Sequence, residues 1–190
     1  DQYTQAVDDF VTVIKSRLHG PFHAVGFSLG GAILMDLLLT SKAPFEKNVL
    51  AAPLIHWSLY EQSKGTYSVY SKFTDRIARF HQKNSSDRDY LIFNRTQDFL
   101  HCTSLSLRWV KALFDWNDRL AAAVPCAATV LVVQGDKDGT VEWEYNIDLV
   151  KKKFPNANIE MIVGARHELF NEADIYRSVV LEYAGHYLAV

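Results

Sequence analysis

The stretch Val25-Gly26-Phe27-Ser28-Leu29-Gly30-Gly31 constrains this chain more than any other. It joins the short apolar run His23-Ala24-Val25 to an apolar periodic segment that begins at Ala32. That reads as strand, tight turn and helix, with a Gly-x-Ser-x-Gly pattern on the turn. Glycines on both sides suit a sharply bent backbone whose flanking elements pack too closely for side chains. The serine stands at the helix start, where the end of the dipole favours developing negative charge.

The elements around this turn follow from periodicity and punctuation. Residues 3 to 18 read as an amphipathic helix, with Val7, Phe10, Val11, Ile14 and Leu18 on one face and Gly20-Pro21 ending it. A strand over 22–27 precedes the turn, and the following helix runs to Leu39. Asn48 to Leu54 is a continuous apolar run, the signature of a buried parallel strand. From His56 to Arg119 aromatics and polar residues increase and no strand stands out. Helical spacing appears there over Tyr67–His81 and over Ser104–Leu120, the latter with Leu105, Trp109, Ala112, Leu113 and Trp116 on one face. Strand character resumes at Thr129. A helix over Glu142–Lys153, a strand over Ile159–Val163 and a closing helix over Leu169–Leu188 complete the chain. Strands alternating with helices imply parallel pairing, with helices on both sheet faces.

Two segments carry further chemistry. Val130-Leu131-Val132-Val133-Gln134-Gly135-Asp136-Lys137-Asp138 is a buried-looking strand running into an acidic turn. Ile159-Glu160-Met161-Ile162-Val163-Gly164-Ala165-Arg166-His167 is a strand running into a histidine. Serine, then aspartate, then histidine is the chain order of the α/β-hydrolases, not of chymotrypsin or subtilisin. With these motifs the chain resembles that superfamily. Gly164-Ala165-Arg166-His167-Glu168, with Asn171-Glu172 shortly after, is most similar to the bacterial lysophospholipase and monoacylglycerol lipase group, which is serine aminopeptidase-like.

The resemblance implies an α/β-hydrolase fold, a mostly parallel sheet flanked by helices with a helical cap inserted. The expected division is hydrolase core over 1–55, cap over 56–120, and core again over 121–190. A complete member carries several strands before the helix that precedes the serine, and this chain begins in that helix. The expectation is a C-terminal portion of a longer hydrolase, or of a degraded gene, lacking the loop that supplies half the oxyanion hole. The sheet edge facing that portion would expose unpaired backbone and invite self-association.

The implied site is Ser28 as nucleophile, His167 as base, Asp138 as the acid that orients it, and the backbone N–H of Leu29 as one oxyanion donor. Asp136 competes with Asp138. The resemblance places the acid third after the glycine, which selects Asp138 and leaves Asp136 as a turn-stabilising side chain. Of the other histidines, His19 and His23 flank the Gly-Pro turn and read as surface residues. His56 stands where the cap begins, within reach of the site. His81 and His101 follow no terminal strand, and His186 reads as surface or packing.

The implied activity is cleavage of carboxylic esters of single-chain lipids, without a cofactor. Short-chain esterase, proline iminopeptidase-like peptidase, and an inactive fragment serving as a binding module are the alternatives. The aromatic and apolar cap residues Phe73, Ile77, Phe80, Tyr90, Phe93, Phe99, Trp109, Phe114 and Trp116 line an acyl tunnel or simply form cap core. Arg76, Arg79, Lys83 and Arg88 lie near a phosphate head group or on a solvated face. The implied location is cytoplasmic, with peripheral contact to the inner membrane through the cap.

Totals narrow the rest. The chain has 190 residues, 48% hydrophobic and 22% charged, with net charge -2. That suits one globular domain and leaves no basic footprint for nucleic acid. Cys102 and Cys126 are too few for a disulfide scaffold and read as buried thiols. No His or Cys spacing matches a metal site, and the glycine-rich turn lacks the Lys-Ser/Thr of a phosphate loop.

Overall fold

The computed structural model describes residues 2–40, 44–79 and 82–189. Its centre is a four-stranded, wholly parallel sheet of β1 (His23–Phe27), β2 (Lys47–Ala51), β5 (Leu131–Gly135) and β6 (Asn158–Ile162), in the order β1-β2-β5-β6. Alternation along the two inner strands divides the core. Leu50, Val130 and Val132 face one layer, with Leu34, Met35 and Leu38 of α2 (Leu29–Leu39), Trp116 and Leu120 of α5 (Leu107–Ala122), and Ile147 and Val150 of α6 (Trp143–Lys153). Val49, Ala51, Leu131 and Val133 face the other, against Val180 and Ala184 of α7 (Asp174–Ala189). α2 is apolar almost all round because it is buried almost all round. Its one charge, Asp36, accepts the Trp116 indole N–H at 3.0 Å.

The first helix, α1 (Gln2–Lys15), is less buried than its spacing predicts. Val11 is in the core, Val7 and Ile14 are half-buried, and Phe10 and Leu18 are exposed. Among the described residues β1 pairs only with β2, so its other edge is open, and Val25 on it is 47% exposed.

The segment between β2 and β5 departs most from expectation. The helix predicted over Tyr67–His81 is instead α3 (Tyr60–Tyr70), a turn, and then the short strand β3 (Arg76–Ala78); Phe80 and His81 lie outside the described residues. β3 pairs antiparallel with β4 (Ser104–Ser106), so strands exist where none was read. Three residues are too few to show an alternating pattern. Between them lies an unforeseen helix, α4 (Arg88–Thr96), with no buried residue. α5 starts at Leu107 and buries a wider face than predicted, because it packs against two clusters. Trp116 and Leu120 join the main core, while Leu107, Val110 and Phe114 pack with Tyr60, Trp57 and Tyr67. Ala112 is exposed.

The cysteines also correct the sequence reading. Both are free, but Cys102 is exposed in the loop before β4 and Cys126 is only half-buried after α5. Cys126 packs at the margin of the main core, whereas Cys102 does not reach it.

Candidate functional site

In a parallel sheet every strand ends on the same side, so loops after different strands meet there. Ser28 follows β1, Asp138 follows β5 by three residues, and His167 follows β6 by five. The structure brings these three together. The Ser28 hydroxyl lies 3.0 Å from His167 Nε2, and His167 Nδ1 lies 2.8 Å from Asp138 Oδ2. A carboxylate only accepts, so Nδ1 carries the proton and Nε2 is free to accept from Ser28 Oγ–H. Asp138 is anchored at its other oxygen, where Oδ1 accepts from Thr140 N–H at 2.8 Å and Val141 N–H at 3.2 Å. His167 is 3% exposed, and its ring packs on Phe27 with centroids 5.2 Å apart.

The turn at Ser28 is strained in the way its sequence suggests. Ser28 has φ 50 and ψ -113, a conformation that L residues rarely adopt. A Cβ at Gly26 would come within 2.6 Å of the Gly30 carbonyl oxygen, and one at Gly31 within 3.1 Å of Pro53. Gly30 is different, since a Cβ there meets nothing within 4 Å. The tight glycines are therefore 26 and 31, and the third is not sterically required. The Ser28 amide donates to Ala51 O at 2.9 Å and its carbonyl accepts from Leu54 N–H at 2.9 Å, so the turn is held to the end of β2. Leu29 is the first residue of α2. N–H groups in a first turn have no partner inside the helix and direct partial positive charge outward.

Asp136 does not enter the site. Its Oδ1 accepts from Gly164 N–H at 2.7 Å, bracing the loop that carries His167. Lys137 N–H donates to Ala165 O at 2.9 Å, a second tie between the acid and histidine loops. They approach so closely at Gly135 that a Cβ there would lie 2.3 Å from the Ala165 oxygen.

His56 is buried but does not touch Ser28 or His167. Its ring is stacked between Tyr60 and Tyr145 at 3.6 and 3.8 Å, with Nδ1 3.4 Å from Glu142 Oε2. Burial holds its pKa below the ordinary value, opposed by Glu142. The same burial raises Tyr60. Around this stack the segment that follows β2 is zipped to the loop after β5. Ser58 N–H donates to Thr140 O and Glu142 N–H to His56 O, both at 2.9 Å, and Trp57 bridges Val141. His19, His23 and His186 are exposed as expected. His81 lies outside the described residues.

Sequence reasoning gave no role to three buried polar residues. Gln134 Nε2–H donates to Asp138 Oδ2 at 3.0 Å, so the acid receives a second side-chain donor. The signal was available, because a polar residue in the strand Val130–Gly135 must find a partner when buried. Asn146 of α6 accepts from His56 N–H at 2.9 Å and donates to the carbonyls of Pro53 and His56. Glu172, fully buried, accepts from the backbone of the histidine loop.

The aromatic residues considered for an acyl tunnel divide. Ile77, Trp109 and Phe114 belong to the cluster around Tyr60, and Trp116 to the main core. Phe73 and Phe99 are 83% and 95% exposed, and Phe93 is exposed as well. Tyr90 is half-buried, and burial beside Glu168 raises its pKa to about 12. Of the basic residues, Arg76 donates to Ser104 Oγ across the β3–β4 pair, while Arg79, Lys83 and Arg88 are exposed. Among the described residues no group of three or more His, Cys, Asp or Glu is arranged to hold a metal, and no helix is long and apolar enough to cross a membrane.

Similarity to known proteins extends over the whole chain. The probable lysophospholipase L2 of Haemophilus influenzae is 31% identical over 220 aligned positions, covering 100% of this chain and 68% of the relative. Among solved structures, a soluble variant of monoglyceride lipase from Saccharomyces cerevisiae in complex with a substrate analogue superimposes with TM-score 0.81 at 18% identity, over 99% of this chain and 67% of the other. The monoacylglycerol lipase of Paleococcus ferrophilus gives 0.78 at 19% identity, over 97% and 74%. Both share the α/β-hydrolase fold with this chain. Residues 1–174 match the family described as serine aminopeptidase, S33. The chain therefore belongs to that family of α/β-hydrolases.

Proposed function

We propose that this protein is a serine hydrolase that cleaves carboxylic esters of single-chain lipids, of the lysophospholipid or monoacylglycerol kind. The observation that carries the reading is the continuous line of contacts from Ser28 Oγ through His167 to Asp138, at 3.0 and 2.8 Å. In this reading Ser28 Oγ attacks the acyl carbonyl carbon as its proton passes to His167 Nε2. Asp138 holds the imidazole in register and stabilises its protonated form. The Leu29 N–H donates to the oxyanion. The alkoxide leaves with the proton from His167, and the acyl group stays on Ser28. Water then gives a proton to His167, attacks the acyl carbon, and frees the fatty acid and the serine.

The choice of lipid rests on the lysophospholipase relative, and the location on resemblance alone: cytoplasmic, touching the inner membrane from one side through residues 56–120, which we assign as the cap. The family description favours a second reading, amide cleavage, because it names an aminopeptidase.

Intact mass after exposure to a fluorophosphonate tests the mechanism. One adduct on the parent and none on folded Ser28→Ala is the expected result. An adduct retained by Ser28→Ala sinks the nucleophile assignment. Rates on a lysophospholipid, a monoacylglycerol, a p-nitrophenyl ester and a proline amide then test the substrate class. Fast amide turnover with inert lipids rejects the lipid reading.

A further inference from the structure

The loop that carries His167 is held by a residue outside the triad. Glu172 is fully buried, and each of its carboxylate oxygens is occupied by backbone donors. Oε1 accepts from Arg166 N–H at 2.6 Å. Oε2 accepts from Ser86 N–H at 2.6 Å and from Ala173 N–H at 3.1 Å. The Arg166 contact has a particular consequence. Arg166 N–H and Ala165 C=O belong to one planar peptide unit, the one that joins Ala165 to Arg166, one residue ahead of His167. Its oxygen accepts from Lys137 N–H in the acid loop at 2.9 Å. Its N–H is taken by Glu172. The peptide is thus gripped at both polar atoms, and its plane sets the direction in which the chain enters Arg166, the residue that leads into His167.

The Ser86 contact ties in a third element. Residues 84–87 lie along the histidine loop. Glu168 N–H donates to Asn84 O at 2.9 Å, and Asn84 Nδ2–H donates to Glu168 Oε1 at 3.0 Å. The Ser85 hydroxyl donates to Asn171 O at 2.8 Å and accepts from Asp87 N–H at 2.9 Å. Among the described residues, only Glu172 joins this strip directly to the 165–166 peptide.

We propose that Glu172 is a positioning residue for His167, clamping the 165–166 peptide and fastening it to the inserted segment at Ser86. This rests on the triad reading above. A carboxylate suits the task because both oxygens accept. An amide in its place turns one acceptor into a donor, which would face a backbone N–H. A charged acceptor that loses its role in a buried network disturbs every group it held.

The test compares the parent with Glu172→Gln, Glu172→Asp and Lys153→Met in the full-length protein. Lys153 Nζ donates to the carbonyls of Ala121 and Ala123, so its loss destabilises the fold away from the site. The readouts are kcat and KM on a p-nitrophenyl ester and the fluorophosphonate labelling rate, per folded molecule and well below each melting temperature. Glu172→Gln is expected to lower kcat and the labelling rate together by about ten- to a hundred-fold, with KM within about twofold, since small misplacements of reacting groups have effects of this size. Glu172→Asp, which keeps the charge, should recover part of the loss. Lys153→Met should lower the melting temperature and leave the labelling rate unchanged. If Glu172→Gln does not fold, Glu172→Asp carries the comparison, with a smaller expected loss. Labelling by folded Glu172→Gln at the parent's rate, or by Glu172→Asp where Glu172→Gln does not fold, overturns the proposal, even with a lowered melting temperature. A parent that takes no adduct at all overturns the triad reading, and this inference with it.

Discussion

At the scale of single residues, strain and burial are concentrated where the chemistry would occur. Ser28 holds φ 50, and Ala52 close by in the fold holds φ 42. Such positions persist only where surrounding contacts over-determine them. His56 shows what burial does to a titratable group beside this region. Its folded-state pKa lies below 6.5, chiefly through desolvation. The unfolded chain therefore binds the proton first as pH falls. The stability this group contributes is fully present above the unfolded value near 6.5 and is lost as pH falls through the lower folded value. His56→Phe keeps a ring between Tyr60 and Tyr145 but cannot titrate. Urea midpoints measured at pH 7.5 and pH 5.5 should differ less in this variant than in the parent. Equal differences would assign the acid loss to other groups.

At the scale of elements, the chain mixes well-anchored pieces with one that is barely held. α4 buries no residue, yet its start is capped, with Asp87 accepting from Tyr90 N–H at 2.9 Å. A helix with a cap and no buried face opens locally before the domain unfolds. Asp87→Ala should cost about 1 kcal/mol, seen as roughly fivefold faster hydrogen exchange across α4. Amides of β5, buried on both faces, should exchange at the parent's rate. The same contrast explains which elements were legible. β2 and β5 were legible because burial on both faces makes most of each apolar, although β2 runs Lys47–Ala51 and stops short of the run's end at Leu54. β3 and α4 were missed because they are short, half-exposed and held by contacts such as Arg76 to Ser104, which leave no periodic trace.

At the scale of the whole molecule, the open edge at β1 is the conspicuous feature. Unpaired strand edges with exposed apolar side chains recruit other strands. We propose that the 190-residue chain, expressed alone, self-associates through β1. Sedimentation velocity across a concentration series should show it, and Val25→Lys should shift the distribution to monomer. A parent that stays monomeric up to high micromolar concentration removes the edge from consideration.

The division between what the sequence determined and what needed three dimensions follows from the range of the forces. The turn at Ser28, the strands before Asp138 and His167, and their order along the chain depend on local sterics and periodicity, and these are written in consecutive residues. Parallel pairing then leaves the three loops on one end of the sheet, while the choice of Asp138 over Asp136 came from the resemblance to the α/β-hydrolases. The ties that hold them depend on contacts across the fold. Gln134 reaches Asp138 only 4 positions on and Glu172 reaches Arg166 only 6 positions back, but Glu172 also holds Ser86 at 86 positions and Asn146 holds Pro53 at 93. A buried polar side chain announces that it has a partner, but only the tertiary structure says which one. Hydrogen bonds depend on distance and angle in space, and spacing along the chain does not encode either.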